Sequence, residues 1–492
     1  MTLHLQVRDG RSARAPENGP VLVQPTPSVS PARRAGRSAS WAARALRVVL
    51  GLATAAPVAT VSAQALSQLT LQPDPFARLQ QIDAGTIASS WSSLPYTRDC
   101  SDAERHIDAH GQVQAADDDV ARTVRSGSFD LIDARLRAQL DATAQWGCVF
   151  AQAAVQRQLG DNGAFWSGDG SALAWQIGAH WRVAGGLIAH QWGPAWDGSL
   201  ILGTRSRPFP NLLVEADSGP LQDSPHWFWL GRVRFSGFVG LLDGPRSDID
   251  NPRLIGMRLV LQPWPQLQLG ASRTMQLGGR GRDNSLWSFL RAFIGRDNQC
   301  DANGCDDQPG NQLGGFDLRW DLSSLLPGVS LYGQMVGEDE AANLPSKYMF
   351  QVGTDWRGAA GVLFAEWADT QAGDAGVAYN HAIYTDGYRH RGQPLGYWTD
   401  GDAQLATLGG LATSLLGGQG LAVARYGRLN HADASPTWPK ADMWSASLQW
   451  RRHLNRHTRL SIALDHLRLS DYTSGAARSD TRLRLQLEGW LP

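Results

Sequence analysis

Apolar and polar residues alternate along most of the chain, which is the clearest pattern in the sequence. Phe316, Leu318 and Trp320 alternate with Asp317 and Arg319. The same period of two recurs in four further segments, residues 255–262, 444–451, 459–465 and 482–488. Because successive side chains of a strand point to opposite faces, this period predicts β-strands with one apolar and one polar face.

The number of such segments and their aromatic ends predict a closed barrel. About 16–18 antiparallel strands are too many for one sandwich, and many apolar faces begin or end in Trp or Phe, as an aromatic girdle would. A closed barrel is also the β structure that can cross lipid with its backbone hydrogen bonds satisfied. We therefore expect an all-β transmembrane barrel over residues 149–492, with an apolar outside and a charged lumen.

Two details refine this barrel. Trp490 is out of phase with Leu483, Leu485 and Leu487, so the last strand departs from a regular apolar alternation. Residues 278–310 and 368–400 are long, polar and rich in glycine, and long loops of such barrels lie on the extracellular side. We expect both segments to be extracellular loops.

The residues before the barrel predict two other parts. Residues 1–63 form a signal peptide with an N-terminal extension: a basic stretch precedes a short apolar core, and cleavage is expected after Ala63, or alternatively after Ala65. Residues 64–148 are expected to form a small α-helical periplasmic region, because residues 76–82 and 129–140 carry apolar positions at helical spacing.

Composition narrows the class of protein further. The formal net charge is −1, which gives no electrostatic case for nucleic acid binding. Four cysteines in an exported chain favour disulfides. A local ring between Cys300 and Cys305 would leave Cys100 to pair with Cys148. Their spacing lacks the CxxC pair of common zinc sites, so we predict no metal. No known catalytic motif is present, so we predict a protein that is not an enzyme and has no cofactor.

Residues 190–210 differ from every predicted strand. The segment combines two tryptophans, a Gly-Pro pair, an acid, two arginines and a Pro-Phe-Pro sequence. Spaced prolines exclude both a helix and a central strand, so the segment is expected to fold inward as a loop. Aromatic faces and planar polar groups also suit sugar binding. The candidate polysaccharide-binding residues here are Trp192, Trp196, Asp197, Arg205 and Arg207.

A second segment, residues 379–396, has a similar composition. Its candidate polysaccharide-binding residues are Asp386, Tyr388, Arg389, His390 and Arg391. For both segments the alternative is a structural role, in which the aromatic residues pack the bend and Asp–Arg pairs neutralise each other.

Both segments resemble the signatures of Wzi-type capsule-assembly proteins, in the same order, and residues 79–95 are similar to the family's N-terminal helical region. Ala195 departs from the glycine that the family tends to have, and the cysteines also depart from it. The resemblance implies an outer-membrane barrel of about eighteen strands with a small helical bundle at its periplasmic end. We expect this barrel to be a monomer.

The resemblance further implies lectin-like binding or organisation of capsular or extracellular polysaccharide at the cell surface, without a cofactor. The expected partners are this polysaccharide, outer-membrane lipid and the polysaccharide-export machinery. Two alternatives stay open at this point: a porin or substrate-specific channel, and an outer-membrane enzyme that modifies glycans.

Overall fold

The computed structural model describes residues 90–92, 106–116, 134–160, 163–293, 310–341, 344–373, 377–436 and 438–491. The predicted signal peptide and the predicted helix at residues 76–82 lie outside these ranges. So do Cys100, Cys300 and Cys305, and the disulfide pairing stays a prediction. Cys148 lies in the turn between the second and third barrel strands.

The described residues form strands almost throughout. The strands are β1 (Ser90–Ser92), β2 (His106–Ala116), β3 (Ala134–Trp146), β4 (Val149–Gly160), β5 (Gly163–Ser167), β6 (Ala172–Ile177), β7 (Trp181–Ile188), β8 (His190–Trp192), β9 (Phe209–Pro220), β10 (Arg232–Leu241), β11 (Arg253–Trp264), β12 (Leu267–Leu277), β13 (Gly310–Asp321), β14 (Val329–Ala341), β15 (Leu344–Gly358), β16 (Gly361–Asp369), β17 (Arg389–His390), β18 (Gln393–Pro394), β19 (Ala403–Leu415), β20 (Gly418–Leu429), β21 (Ala441–Asn455), β22 (Thr458–Asp471) and β23 (Ala477–Leu491). One α-helix, α1 (Leu286–Phe293), and a 3-10 turn at Phe228–Leu230 complete the described elements. Among the residues described, no helix has the length and apolar character needed to cross a membrane.

Nineteen of these strand segments form one closed antiparallel barrel. Two of them, β5 and β6, both pair with β4 and so occupy one interrupted position in the wall. The described part of the chain thus builds eighteen positions (19 − 1), with β2 pairing with β23 to close the ring. The predicted barrel is confirmed.

The barrel begins earlier in the chain than its alternation predicts. Strands β2 and β3 belong to the wall, so the predicted boundary at residue 149 is wrong for these residues. The helix predicted over residues 129–140 is also wrong from Ala134 onward, where β3 begins. Inter-strand hydrogen bonding on both sides of β3 overrides the helical propensity of its Ala, Arg and Gln residues.

The two ends of the barrel differ. Short turns join strands at one end, called here the short-turn end, at residues 147–148, 178–180, 265–266, 359–360, 416–417 and 456–457. The opposite end, the long-loop end, carries residues 189–208, 242–252, 370–402 and 430–440 between strands. In outer-membrane barrels short turns face the periplasm and long loops face outward.

The outer surface is apolar and has aromatic residues at both rims. Phe316, Leu318 and Trp320 are exposed on the outside, whereas Asp317 and Arg319 are buried inside, as the alternation predicts. Exposed tryptophans ring the short-turn end: Trp146, Trp181, Trp264, Trp320 and Trp356. Exposed aromatics also ring the long-loop end: Trp166, Phe350, Trp367, Tyr426 and Trp444. Two such girdles are typical of a barrel that spans a bilayer.

Trp490 explains the irregular phase of the last strand. Its side chain is buried and lies 5.4 Å from the His110 ring, between ring centroids. The Arg459 guanidinium lies 5.3 Å from the centre of the indole. Trp490 therefore packs inside the barrel, where β23 pairs with β2, instead of in an aromatic girdle on the outside.

Candidate functional site

Both predicted motifs fold into the lumen from the long-loop end. They make up most of what we call the plug, residues 193–208 and 377–402. The first segment follows β8, and the second leaves β16 and returns at β19. Strand β8 pairs with β1 rather than with the wall, so the chain has already left the barrel wall at His190.

Two glycines allow this fold. Gly198 has a φ of 149°, and a Cβ there would lie 2.9 Å from the Tyr397 ring. At Gly203 a Cβ would lie 2.4 Å from the Gly396 carbonyl oxygen. The Gly203 amide donates a hydrogen bond of 2.7 Å to the Leu395 carbonyl. The two segments therefore join backbone to backbone, which only a residue without a side chain permits.

Gln334 on β14 holds the bend of the first segment. Its Nε2 donates to the Trp192 carbonyl at 2.8 Å, and its Oε1 accepts from the Leu200 amide at 2.8 Å. One wall residue thus satisfies two buried backbone groups that no strand pairing supplies.

The tip of the first segment is anchored to the far wall. The Trp196 indole donates from Nε1 to Asp355 at 2.9 Å and stacks on Phe364 with ring centroids 5.6 Å apart. The backbone amides of Trp196 and Asp197 donate to the two carboxylate oxygens of Glu366, at 2.5 Å and 3.0 Å. These partners lie on β15 and β16, so the tip position is fixed by neighbouring strands.

Asp197 itself forms a buried ion pair. Arg425 on β20 donates to its carboxylate from Nε at 2.9 Å and from Nη2 at 2.5 Å. Thr407 on β19 donates a further hydrogen bond of 2.8 Å. The side chains of Asp197 and Arg425 are 1% and 4% exposed, so the pair is shielded from water and from ligand.

The two arginines that follow are also used internally. Arg207 forms a bidentate pair with Asp169, from Nε and Nη2, both at 2.7 Å, and lies over the Phe165 ring. Arg205 donates from Nε to Gln393 at 3.0 Å, which links the first segment to the second. Both arginines are buried.

Tyrosines of the second segment cap carbonyls of the first. The Tyr379 hydroxyl donates to the Leu200 carbonyl at 2.6 Å. The Tyr388 hydroxyl lies 3.0 Å from the Ile201 carbonyl and 2.9 Å from the Thr274 hydroxyl on β12. The two rings lie in near-parallel planes, and both side chains are buried.

The charged residues of the second segment differ in how far they are exposed. Arg389 is buried and forms a bidentate pair with Asp400, at 2.8 Å and 3.0 Å. Asp386 accepts from the Ser247 amide at 2.7 Å and remains partly exposed. Arg391 pairs with Asp243, and about a third of each side chain stays accessible. His390 lies beneath this pair, with Nε2 3.1 Å from an Asp243 carboxylate oxygen.

The plug packs against most of the inner wall. One apolar cluster joins Trp192, Leu200, Tyr379 and Trp398 of the β8–plug region to inward-facing wall residues. The wall residues in this cluster are Ala174, Ala184, Ile188, Phe209, Leu213, Phe238, Leu254, Leu313, Val336, Met349, Ala368, Ala403, Leu405, Leu429, Met443 and Leu467. The prediction of a charged lumen is therefore wrong for this layer, where the wall is apolar because it contacts protein instead of water.

Elsewhere the lumen is charged as predicted. Four buried ion pairs link inward-facing residues of the wall: Arg258–Asp317, Arg319–Asp355, Arg459–Glu488 and Arg484–Asp465. The lumen therefore has an apolar plug layer and polar regions crosslinked by arginine.

The structure thus brings the predicted binding residues together, but mostly inside the protein. Eight are buried: Trp192, Trp196, Asp197, Arg205, Arg207, Tyr388, Arg389 and His390. Only Asp386 and Arg391 among the ten remain partly accessible. Residues 368–400 were predicted as an extracellular loop, but residues 368–373 and 377–400 instead pack largely into the lumen because their tyrosines and tryptophan complete its apolar core.

The wall partners of the plug were missed by sequence reasoning. Gln334, Asp355, Glu366 and Arg425 appeared as ordinary inward-facing polar residues. Arg425 carries a detectable signal, because it is a charge in an inward-facing row otherwise made of Val423, Gly427 and Leu429. A lone charge in an apolar inner row indicates a buried partner.

A closed, lipid-facing barrel whose lumen contains its own inward-folded segments defines an outer-membrane β-barrel protein with an internal plug. More specifically, the chain belongs to the family described as capsule assembly protein Wzi, whose model matches residues 131–481.

Two relatives support this assignment. The structure of Wzi, an outer membrane protein involved in group 1 capsule assembly in Escherichia coli and a carbohydrate-binding β-barrel, is similar with a TM-score of 0.66 and 25% identity. The similarity covers 77% of this chain and 84% of that one. An uncharacterized 55.8 kDa protein in the cps region of Klebsiella pneumoniae is 33% identical over 243 residues, 49% of this chain and 47% of that protein. The match therefore spans about half the length of this curated relative.

Proposed function

We propose that the protein binds capsular or other extracellular polysaccharide at the long-loop end of the barrel and holds it at the cell surface, without catalysing a reaction. The observation that carries this proposal is the plug: its apolar contacts cover most of the inner wall, so protein occupies the lumen at this level. A filled barrel offers its outer face, rather than a pore, to a long polymer. Membership of the Wzi family and the carbohydrate binding of the E. coli relative support the same function.

The accessible part of the second motif is the proposed contact surface. Asp243, Ser247, Asp386 and Arg391 lie at the long-loop end and form two hydrogen-bonded pairs, Arg391 with Asp243 and Ser247 with Asp386. Planar carboxylate and guanidinium groups can bond pairs of sugar hydroxyls, and the guanidinium can pair with acidic sugars. The buried arginines and tryptophans set the position of this surface from below.

Binding is tested with the purified protein and capsular polysaccharide from the same strain. Loss of one charge-assisted hydrogen bond costs about 1.5–3 kcal/mol, so Arg391→Gln is expected to weaken binding roughly tenfold or more. Arg428→Gln is the matched control, because Arg428 is exposed near the long-loop end of β20 but on the outside of the barrel. Equal affinity of both variants and the wild type would reject this surface.

Retention is tested in cells. Deletion of the gene is expected to move polysaccharide from the cell-bound fraction to the medium, and the wild-type chain should restore the bound fraction. Unchanged cell-bound polysaccharide in the deletion strain would reject the proposed function, whatever the binding measurement shows.

A further inference from the structure

Helix α1 lies on the outside of the barrel wall near the long-loop end. On β12, Thr274 contacts the plug through Tyr388, so its neighbour Met275 points away from the lumen. Met275 and Leu277 are nevertheless buried, in a cluster against which Phe289 of α1 packs. The helix therefore covers a part of the wall that would otherwise face lipid.

An outward-facing polar residue of the wall binds the end of this helix. Arg273 donates from Nη1 to the Phe293 carbonyl at 2.9 Å and from Nε to Gln312 at 2.9 Å. An arginine on a lipid-facing wall is costly unless it is paired, and so is a helix carbonyl without a donor. Each of these groups satisfies the other, so this helix end is suited to an apolar surrounding.

The opposite side of α1 presents a large apolar surface. Leu286 and Trp287 are 72% and 67% exposed, and Leu290 and Phe293 are also exposed. This surface continues the apolar exterior of the wall, where Phe316 is exposed on the neighbouring strand β13. Four large apolar side chains on an eight-residue helix would be unfavourable in water but favourable at a bilayer boundary.

The loop that leads into α1 is ordered and basic. The Asn284 side chain bonds the Gly279 amide and carbonyl at 3.1 Å and 3.0 Å, and Arg253 donates to the Asn284 carbonyl at 3.0 Å. The Arg280 side chain is 79% exposed, with Asp250 at 3.5 Å. Arginines beside an apolar helix at this level can reach lipid phosphates.

We propose that α1 is a lipid-binding element, with its apolar side among the acyl chains of the outer leaflet and Arg253 and Arg280 at anionic headgroups. Continuity with the lipid-facing wall selects lipid over a protein partner. This lipid contact would add to the aromatic girdle at the long-loop end. It would help to fix the height of that end, and of the proposed polysaccharide surface, above the bilayer. The lipid contact does not depend on the polysaccharide function.

Photo-crosslinking in intact outer membranes tests this contact. Benzoylphenylalanine replaces Trp287. The positive control places it at Tyr426, in the aromatic girdle of the long-loop end, and the negative control at Ser474, in an exposed turn. Position 287 is expected to give lipid adducts at a yield similar to that at position 426. Position 474 is expected to give few lipid adducts. Adducts to a protein at position 287, or no adduct while position 426 reacts, would overturn the proposal.

Reconstitution tests the headgroup. In vesicles of equal phosphatidylcholine and phosphatidylglycerol, the adduct at position 287 should contain at least about twice as much phosphatidylglycerol as phosphatidylcholine. The double substitution Arg253→Gln and Arg280→Gln should remove this preference while leaving the total lipid yield unchanged. An equal ratio in the unsubstituted chain would overturn the role of the two arginines.

Discussion

The carboxylate of Asp197, at the tip of the first plug segment, is held by the guanidinium of Arg425 on β20, 228 residues further along the chain. Three hydrogen bonds of 2.5–3.0 Å join the two groups. Thr407 and the backbone contacts to Glu366 complete the anchor. This pair connects the tip of the first plug segment to the barrel wall.

Breaking this pair from either side should destabilise the protein strongly. Asp197→Asn or Arg425→Gln leaves a buried charge without its partner, which costs about 3–5 kcal/mol. The double variant should lose less than the sum of the single losses, because no unpaired charge remains. Urea unfolding in detergent measures this, with Arg428→Gln as the exposed control. Additive losses below about 1 kcal/mol each would contradict the pair's structural role.

Substitutions at Trp196 separate packing from ligand contact. Trp196→Phe keeps the stack on Phe364 but loses the hydrogen bond to Asp355, at a cost of about 1.5–3 kcal/mol. Trp196→Ala also leaves a cavity and should cost about 3–5 kcal/mol. The folded fraction of each variant should bind polysaccharide as the wild type does, because the ring is buried. Tenfold weaker binding by Trp196→Phe with unchanged stability would show direct sugar contact instead.

The plugged lumen predicts low ion conductance. Paired residues close the base of each inward loop: Trp192 pairs with Leu202, and the Thr370 amide donates to the Ala403 carbonyl. Replacing residues 194–200 and 372–401 each with an Asn-Gly turn should keep these pairs and open the lumen. Conductance in planar bilayers should rise at least about tenfold over the wild type.

The control for conductance is a turn replacement at residues 472–475, between β22 and β23, which should change nothing. Heat-dependent migration on gels confirms that each barrel is closed before its conductance is measured. A wild-type protein that already conducts as well as the double replacement would favour the porin alternative.

The Asp243 contact predicts a specific acid dependence. Hydrogen bonds from His390 and from Arg391 outweigh the effect of burial and hold the pKa of the Asp243 carboxyl below its usual range. Because the folded pKa is the lower one, the stabilisation is fully present above the unfolded value of about 3.9 and disappears as the pH falls through the folded value. The wild type should therefore exceed Asp243→Asn in stability by a constant amount from about pH 5 to about pH 8.

Below about pH 4 the stabilities of the wild type and Asp243→Asn should converge. Urea midpoints of both proteins, measured at several pH values from about pH 8 to below about pH 4, check this expectation. A difference that instead grows as the pH falls would mean that the carboxyl is protonated in the folded protein, contrary to its surroundings.

Alternation was enough to predict the barrel where the two faces contrast strongly. Along β13, aromatic and aliphatic residues face lipid while Asp317 and Arg319 face the lumen, and no other regular structure separates them in this way. The estimate of 16–18 strands contains the observed number for the same reason.

Strand β3 shows why this reasoning has a limit. Leu136 and Leu140 are four residues apart, which fits one face of a helix and equally one face of a strand, since four is a multiple of two. The residues between them are Arg, Ala and Gln, all good helix formers. The sequence of this segment does not contain the information that decides, because the deciding hydrogen bonds come from β2 and β4.

The sequence was enough to predict that the first plug segment folds inward, but not which wall residues it contacts. Gly193, Pro194 and Pro208 are incompatible with a continuous wall strand, and this placed the first segment inside correctly. Which wall residues meet it was not predictable, because Gln334 and Arg425 are far away in sequence. Gln334 looks like any other inward-facing polar residue, and the lone charge of Arg425 indicates a buried partner without identifying it. Burial of the Trp–Asp–Arg set follows only from those contacts.

The backbone junction of Gly203 with Leu395 has a consequence for how the plug can move. Each segment supplies hydrogen-bond partners that the other requires, since Leu200 and Ile201 depend on Tyr379 and Tyr388. If one segment withdrew alone, it would leave buried donors and acceptors unsatisfied on the other, at about 1–3 kcal/mol for each group. Any opening of this barrel is therefore cooperative: the two segments leave together as one unit, or neither leaves.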